Sequence, residues 1–491
     1  MSDESLPDGA SVERVIRRRQ RRDPKPRFKV DTSQQLDAVR GCPAVSVPED
    51  HLARSVWSVV SRLDTSALEE PYSSLGRRGY HPRNVLAVWV YASLRGLHHS
   101  TKVAAATETD AAFRLLSGGH AISGATLRRF RQRNADFFSR CIEQTVQLAS
   151  RLGLIDPEAL AVDSVRIRAH ASSAAVRSVS RSTKRLEELS KVDEATLDEA
   201  GREVHRAKLK KHQTALELCR NRGRTSIVLT NDAAALMKFP SGASAPAHRT
   251  TVVASGKSSR FVIGVLVDAD STDHGKLGGA LDKARDVLDR LGLRNGRRLV
   301  AAADAGYAYD ADFEFAFNNR DWVDVLIPER SVGRYGRFFG RDRFVVRSDL
   351  TATCPAGTPM LGPYSNSRAN PDDLKWVGVG CSSCPLKSQC TDGKVRAFQI
   401  DLQREKHRQF MQNRMEQPGA VDRYNHRIAT VEPVFSHLEN AMEFRRCSSR
   451  ASGTVLSEIL LNVLAYNIDR LIRAERHARK LRCVHFIIEE F

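Results

Sequence analysis

Nowhere among the 491 residues is there an unbroken apolar run of the roughly 18 residues that a membrane helix needs. The N-terminus is polar and charged, so a secretory signal is not expected either, and the expected place of work is the cytoplasm, on the nucleoid. Acidic residues are scarce beside basic ones: 58 Asp and Glu face 77 Lys and Arg, a formal charge of +19. Such an excess repels itself unless a polyanion takes it up, and nucleic acid is the first candidate. The nine cysteines of a cytosolic chain argue against a disulfide framework, so a cluster of them is tested first as a metal site. What is present, with 41% hydrophobic residues, suffices for two or three domains, each with its own core.

The central stretch is Leu299 to Tyr307, an apolar run that ends on Asp304 and Gly306. A bounded run of this kind reads as a buried strand, and an acid at its end faces the open edge of a sheet, where ligands bind. Two more acids adjoin apolar segments: Asp163 in Leu160–Ala169, and Glu432 in Thr430–Phe435. If Leu160–Ala169 is one strand, Asp163 shares a face with Val165, Ile167 and Ala169, and a carboxylate there must be paired, neutralised or bound to metal.

Along the chain, residues 13–29 hold nine Lys or Arg and little apolar pattern, a solubilising tail or a basic arm for phosphates. Residues 31–150 read as short helices broken by glycine turns and closing on Arg128, Arg129, Arg131 and Arg133, a helix-turn-helix-like DNA-binding domain. A packed helix with a solvated arginine face is the alternative. A charged helical insertion spans about 171–235, and a hairpin follows around Gly256. Thr272 and Asp273 are placed to cap a helix over 275–292. The elements over 155–330 describe an α/β mixed sheet with one antiparallel side, covered by helices.

Residues 331–400 form a β-rich insertion with little apolar content, carrying Cys354, Cys381, Cys384 and Cys390. Four soft donors suit a tetrahedral Zn2+, and so small a core calls for such a staple; reduced, unliganded thiols are the alternative. Residues 401–475 carry Glu432, which Pro433 places at a helix start or bend, with Glu439 seven residues on along the same face. An apolar helix over 453–474 is fit to close a core, and 476–491 reads as a tail.

Ala161–Ser164, Ala303–Tyr307 and the run from Tyr424 through Arg427 to Val431–Phe435 together resemble the DDE transposases of bacterial insertion sequences. The likeness extends to Tyr80–Arg83, Arg128–Arg131 and the cysteine-bearing insertion. It implies an RNase H-like mixed sheet with helices on both faces, an N-terminal all-helical domain, and a two-metal site of Mg2+ or Mn2+. In that site Asp163 resembles the aspartate shared between the ions, and Asp304 and Glu432 the outer ligands. The activity implied is DNA strand cleavage and strand transfer at element ends, with Tyr424 and Arg427 positioning the phosphate backbone. The partners implied are double-stranded DNA, at the terminal inverted repeats and at the target, and a second copy in a homodimer. Two departures stand out: Arg427 is five residues from Glu432 instead of four, and Glu439 stands where lysine is expected. The alternatives are a domesticated or regulatory DNA-binding protein of transposase origin, and a stand-alone RNase H-like nuclease.

Overall fold

The structure, a computed structural model, describes residues 27–489 apart from 71, 73–77, 257, 271, 330–337, 341–342, 348 and 368. Most of the basic arm, residues 1–26, and the start of the 331–400 insertion lie outside the described residues. The chain forms two compact units: residues up to 145 with 441–444 and 453 onward, and residues 146–440 with 445–452.

The first unit is helical, with α1 (Leu52–Val60), α2 (Pro82–Leu94), α3 (Ser100–Thr109), α4 (Ala111–Leu116), α5 (Gly124–Arg133) and α6 (Ala135–Arg151), the last crossing the unit boundary. Pro82 at the first turn and His81, whose Nδ1 accepts from the Arg83 amide at 3.2 Å, start α2. Val85 to Ser93 are all buried, so α2 is the central helix of this unit, apolar on every side.

The second unit is built on a mixed sheet. β1 (Leu160–Arg168) leads into the expected insertion, a short ribbon of β2 (Val176–Ser178) and β3 (Ser226–Val228) bearing α7 (Val179–Ser190) and α8 (Glu199–Asn221). Then come β4 (Ala235–Lys238), β5 (Ser244–Ser255), β6 (Phe261–Asp268), α9 (Leu277–Arg290), β7 (Leu299–Ala303), α10 (Asp310–Asn318) and β8 (Val323–Leu326). β5 pairs antiparallel with β4 and β6 along one edge and with β1 along the other, while β1, β7 and β8 run parallel. Small residues on β7, Ala301 and Ala303, let α9 and α10 pack closely on this sheet through Leu281, Ala284 and Phe313.

The cysteine-bearing insertion holds a β9–β10 pair (Val345–Val346, Ala352–Thr353) and a three-stranded sheet, β11 (Leu361–Ser365), β12 (Asp373–Val377) and β13 (Ala397–Asp401). It has an aromatic core: Trp376 is fully buried, and Phe344 stacks on Phe398 at 4.6 Å. After it, α11 (Leu402–Met415) is anchored to the sheet by a buried ion pair from Arg414 to Asp324 of β8. α12 (Ala420–Ser436) follows and ends in a π turn, His437–Ala441.

The last helix, α13 (Ser452–Glu489), differs from the expectation that residues up to 475 complete the sheet unit, because it groups with the N-terminal helices. Its buried polar groups explain the choice. Glu458, fully buried, faces Arg131 at 3.5 Å, and the buried Asn467 donates to Thr145 Oγ1 at 3.0 Å, while nearer the surface Glu475 pairs with Arg62 at 2.7 Å. Buried polar groups of this kind need matching partners, and these helices supply them. The helix also runs on through residues expected to be a tail.

Candidate active site

β1 and β7 are parallel neighbours whose last paired residues are Val162 and Ala303, so Asp163 and Asp304 occupy the next position on each strand. In a parallel pair such positions place both side chains on one side of the sheet. Asp304 turns its Oδ1 back to accept the Gly306 amide at 2.8 Å, which fixes the carboxylate at the strand end. A Cβ at residue 306 would lie 2.6 Å from that oxygen, so any larger residue there would displace the Asp304 carboxylate. Asp163 Oδ1 accepts the Ser164 amide at 2.7 Å.

Behind Asp163 lies a network that sequence reasoning missed. Ser164 Oγ donates to Asp273 Oδ1 at 2.5 Å, and Asp273 pairs with Arg249, whose side chain is fully buried and donates through Nε to Asp270 O at 3.0 Å. Asp273 therefore does not cap the helix as expected. α9 starts at Leu277, and Asp312 accepts the amides at its start, from Gly275 at 2.8 Å and Leu277 at 3.2 Å. The one signal available was an arginine inside the apolar run of β5, which needs a buried acid.

Glu432 lies within α12, not at a helix start or bend. Pro433 has no N–H for the Ala429 carbonyl, yet the helix continues because Arg260 Nε donates to that carbonyl at 2.8 Å. The π turn after Ser436 then changes the helical period, so Glu432 and Glu439 are not related by two plain α turns.

Arg427 was expected on a phosphate; here its side chain is 8% exposed and its guanidinium faces acids. Nη1 donates to Asp163 Oδ2 at 3.0 Å and Nη2 stands 3.7 Å from Glu432 Oε1. Because an offset of five residues does not keep two side chains in line, only the long arginine reaches back toward Glu432. Tyr424 packs against Ala302, Leu326 and Ala420, with the Arg427 guanidinium 5.9 Å from its ring centre.

Burial pushes the Asp163 carboxyl up to about 6, and the neighbouring Asp304 and Glu432 push the same way, while the Ser164 amide and Arg427 oppose them. Asp163 and Glu432 thus share one guanidinium while Asp304 adds a third negative charge beside them, a deficit of positive charge that a hard divalent cation fits. Among the described residues, no three His, Cys, Asp or Glu side chains are drawn close enough to hold a metal ion. At the acids, Arg427 lies between Asp163 and Glu432.

The four expected zinc ligands, Cys354, Cys381, Cys384 and Cys390, line one cavity of about 360 Å3 and form no disulfide. Burial raises the Cys390 thiol, and negative charge on Cys381, Cys354 and Cys384 raises it further. They surround a hollow without closing to a tetrahedral set, which departs from the expectation.

In the first unit Arg128, Arg129 and Arg133 are exposed on α5, and Arg129 and Arg133 line a groove with Phe130 and Asn134. Arg131 corrects the expectation of a DNA contact. It is 4% exposed, packs over Trp89 at 4.8 Å, donates to His98 O at 2.6 Å and faces Glu458. Its spacing of four from the fully buried Leu127 places both on the inner face.

Two family models match the chain: Transposase DDE domain over residues 353–472, and Transposase domain (DUF772) over 44–133. The first spans the cysteine insertion and Glu432, the second the helices up to Arg133. These two matches support an insertion-sequence DDE transposase. The transposase is therefore an enzyme that cuts and transfers DNA, of a family that generally works with divalent metal, and its mixed sheet with an N-terminal helical region agrees with that fold. No curated protein matches the chain. No helix among the described residues is long and apolar enough to cross a membrane.

Proposed function

We propose that Asp163, Asp304 and Glu432 are the catalytic acids of this transposase and hold Mg2+ or Mn2+ for strand cleavage and strand transfer at element ends. The observation that carries this reading is the register that sets Asp163 beside Asp304, with Arg427 tying Asp163 to Glu432. When bound, divalent metal supplies Lewis acidity at the attacking and leaving oxygens of an in-line displacement. Asp163, buried and crowded, needs a cation against it to stay ionised, and Arg427 supplies one here. The Gly306 amide keeps the Asp304 carboxylate turned toward the strand end. Tyr424 and Arg427 lie beside the acids, where a phosphate backbone passes during cutting.

In the same reading Arg128, Arg129 and Arg133 contact the terminal inverted repeats, and a homodimer on the nucleoid, in the cytoplasm, brings two ends to target DNA. Residues 31–150 serve as the DNA-binding part, and the sheet unit as the catalytic part. Cys354, Cys381, Cys384 and Cys390 hold a structural Zn2+: four soft donors about one cavity are the right number and kind. Elemental analysis of the purified protein tests the zinc, and a metal-free protein with an intact 338–400 segment would overturn it.

Asp304→Asn tests the acids. A neutral amide cannot replace a charged ligand, so metal-dependent cleavage of the cognate end falls on the order of a hundredfold or more while end binding stays. Equal cleavage by the variant and the unaltered protein would sink the assignment.

A further inference from the structure

The insertion that leaves β1 carries a charged hollow which the acids do not use. A cavity of about 520 Å3 is lined by Arg177, Arg181, Lys184, Arg185, Glu188 and His212. These side chains come from three elements, β2, α7 and α8, so the charge is gathered by the fold and not by a run of sequence. Arg177 is held in place: its Nη1 donates to Ala174 O at 2.8 Å and to Val176 O at 2.7 Å. His212 Nδ1 lies 3.2 Å from the hydroxyl of Ser182, which is buried on α7. Glu188, the one acid of the lining, is committed to Arg185 at 2.6 Å.

Arg181, Lys184 and Arg185 stand three and four residues apart and share one helix face, with neighbouring positions about 5–6 Å apart. Among the described residues Arg181 and Lys184 have no carboxylate at ion-pair distance, although both are exposed. Burial holds the His212 imidazole below its ordinary range, and the cations of Arg177, Lys211, Arg185 and Arg181 hold it lower still. Cations gathered around one concave surface, with a single and already paired acid, repel one another until a polyanion lies across them.

The chain itself limits how far this hollow can stand from the acids. Arg177 follows Asp163 by 14 residues, which even fully extended reach no more than about 50 Å, or under two turns of duplex at about 34 Å per turn. We propose that this hollow is a phosphate clamp, by which the insertion grips the sugar-phosphate backbone of duplex DNA within about one and a half turns of the cut. The inference rests on DNA as the substrate of the transposase. It assigns the insertion a role in affinity and not in chemistry, so it carries no sequence preference.

The test uses the full chain and a random-sequence duplex of about four helical turns, titrated with salt. Arg181→Gln with Lys184→Gln alters two exposed side chains and leaves the fold intact. Affinity should fall on the order of tenfold, and the slope of log K against log salt should become shallower by about 2. A control pair removes the same charge from the exposed Lys191 and Arg202 outside the hollow, and should change little. Equal affinity and slope in the clamp variant and the unaltered protein would overturn the proposal, as would an equal loss in the control pair. Inorganic phosphate is the second probe: a hollow that takes up free phosphate while duplex affinity is unmoved is an anion site, and the clamp is then wrong. Asp304→Asn reads cleavage and this series reads equilibrium binding, so failure of the catalytic reading and failure of the clamp are separate results.

Discussion

Asp163 is the residue on which the chemistry turns, because its carboxylate is buried among two others and relieved by one guanidinium. Arg427→Gln leaves that carboxylate without its cation. Breaking a buried pair costs up to about 3–5 kcal/mol, but Asp163 escapes by taking up a proton, so the loss near neutral pH is on the order of 2 kcal/mol. Divalent metal at the same acids substitutes for the missing charge. Thermal melts with and without Mg2+ should therefore show a larger rise in melting temperature for Arg427→Gln than for the unaltered protein, and equal increments would refute the shared cation role. Gly306 makes a second case at this scale. A methyl group there would meet Asp304 Oδ1 at 2.6 Å, so Gly306→Ala should lose end cleavage nearly as Asp304→Asn does, with end binding preserved. Full cleavage by Gly306→Ala would show that the turn does not hold the acid.

α12 carries Glu432 through a proline, and the element survives because a distant arginine replaces a missing amide. The coupling is measurable by a double-mutant cycle. Arg260→Ala should cost about 0.5–1 kcal/mol in the native chain, where the exposed Ala429 carbonyl loses its protein donor to water, and clearly less in a Pro433→Ala background whose new amide serves that carbonyl. Strict additivity in denaturant melts would rule the compensation out. α9 depends in turn on Asp312, a buried acid whose carboxyl burial pushes up to about 6 against an ordinary 3.8, with the Gly275 and Leu277 amides opposing. A folded-state value above the unfolded one means that the group's contribution is fully present below about 3.8 and is lost as pH rises through about 6. Asp312→Asn should flatten the stability profile between those two values, and an unchanged slope in pH-dependent melts would contradict the assignment. These helix details were illegible beforehand for one reason: a carbonyl freed by Pro433 and a helix start served by Asp312 are completed by residues far along the chain. β1 and β7 were legible because their signal is local, an apolar run ending on an acid. Arg131 was half legible, since its spacing from Leu127 points inward, while its acid partner lies on a helix more than 300 residues later.

At the scale of the whole molecule, an apolar helix announces that it is buried but not what it is buried against. α13 illustrates this, for Val455, Ile459, Leu464, Ile468 and Leu471 would suit any core. Its polar residues decide the matter. Glu458 answers Arg131, which stacks on Trp89, and Asn467 answers Thr145, so the N-terminal helical unit is completed by chain that follows the catalytic elements in sequence. A fragment ending at residue 151 would leave Arg131 without its acid and the apolar face of its helices open to water. The expected result is a fragment with helical far-UV dichroism but no cooperative thermal transition and no near-UV signal from Trp89. Joining residues 452–489 to its end through a flexible linker should restore both, since the missing partners are then supplied. Glu458→Ala in the joined fragment should weaken the restored transition by on the order of 3 kcal/mol, because it leaves the Arg131 charge buried and unpaired. A cooperative transition in the short fragment alone, at the temperature of the joined one, would show that α13 is not part of that core.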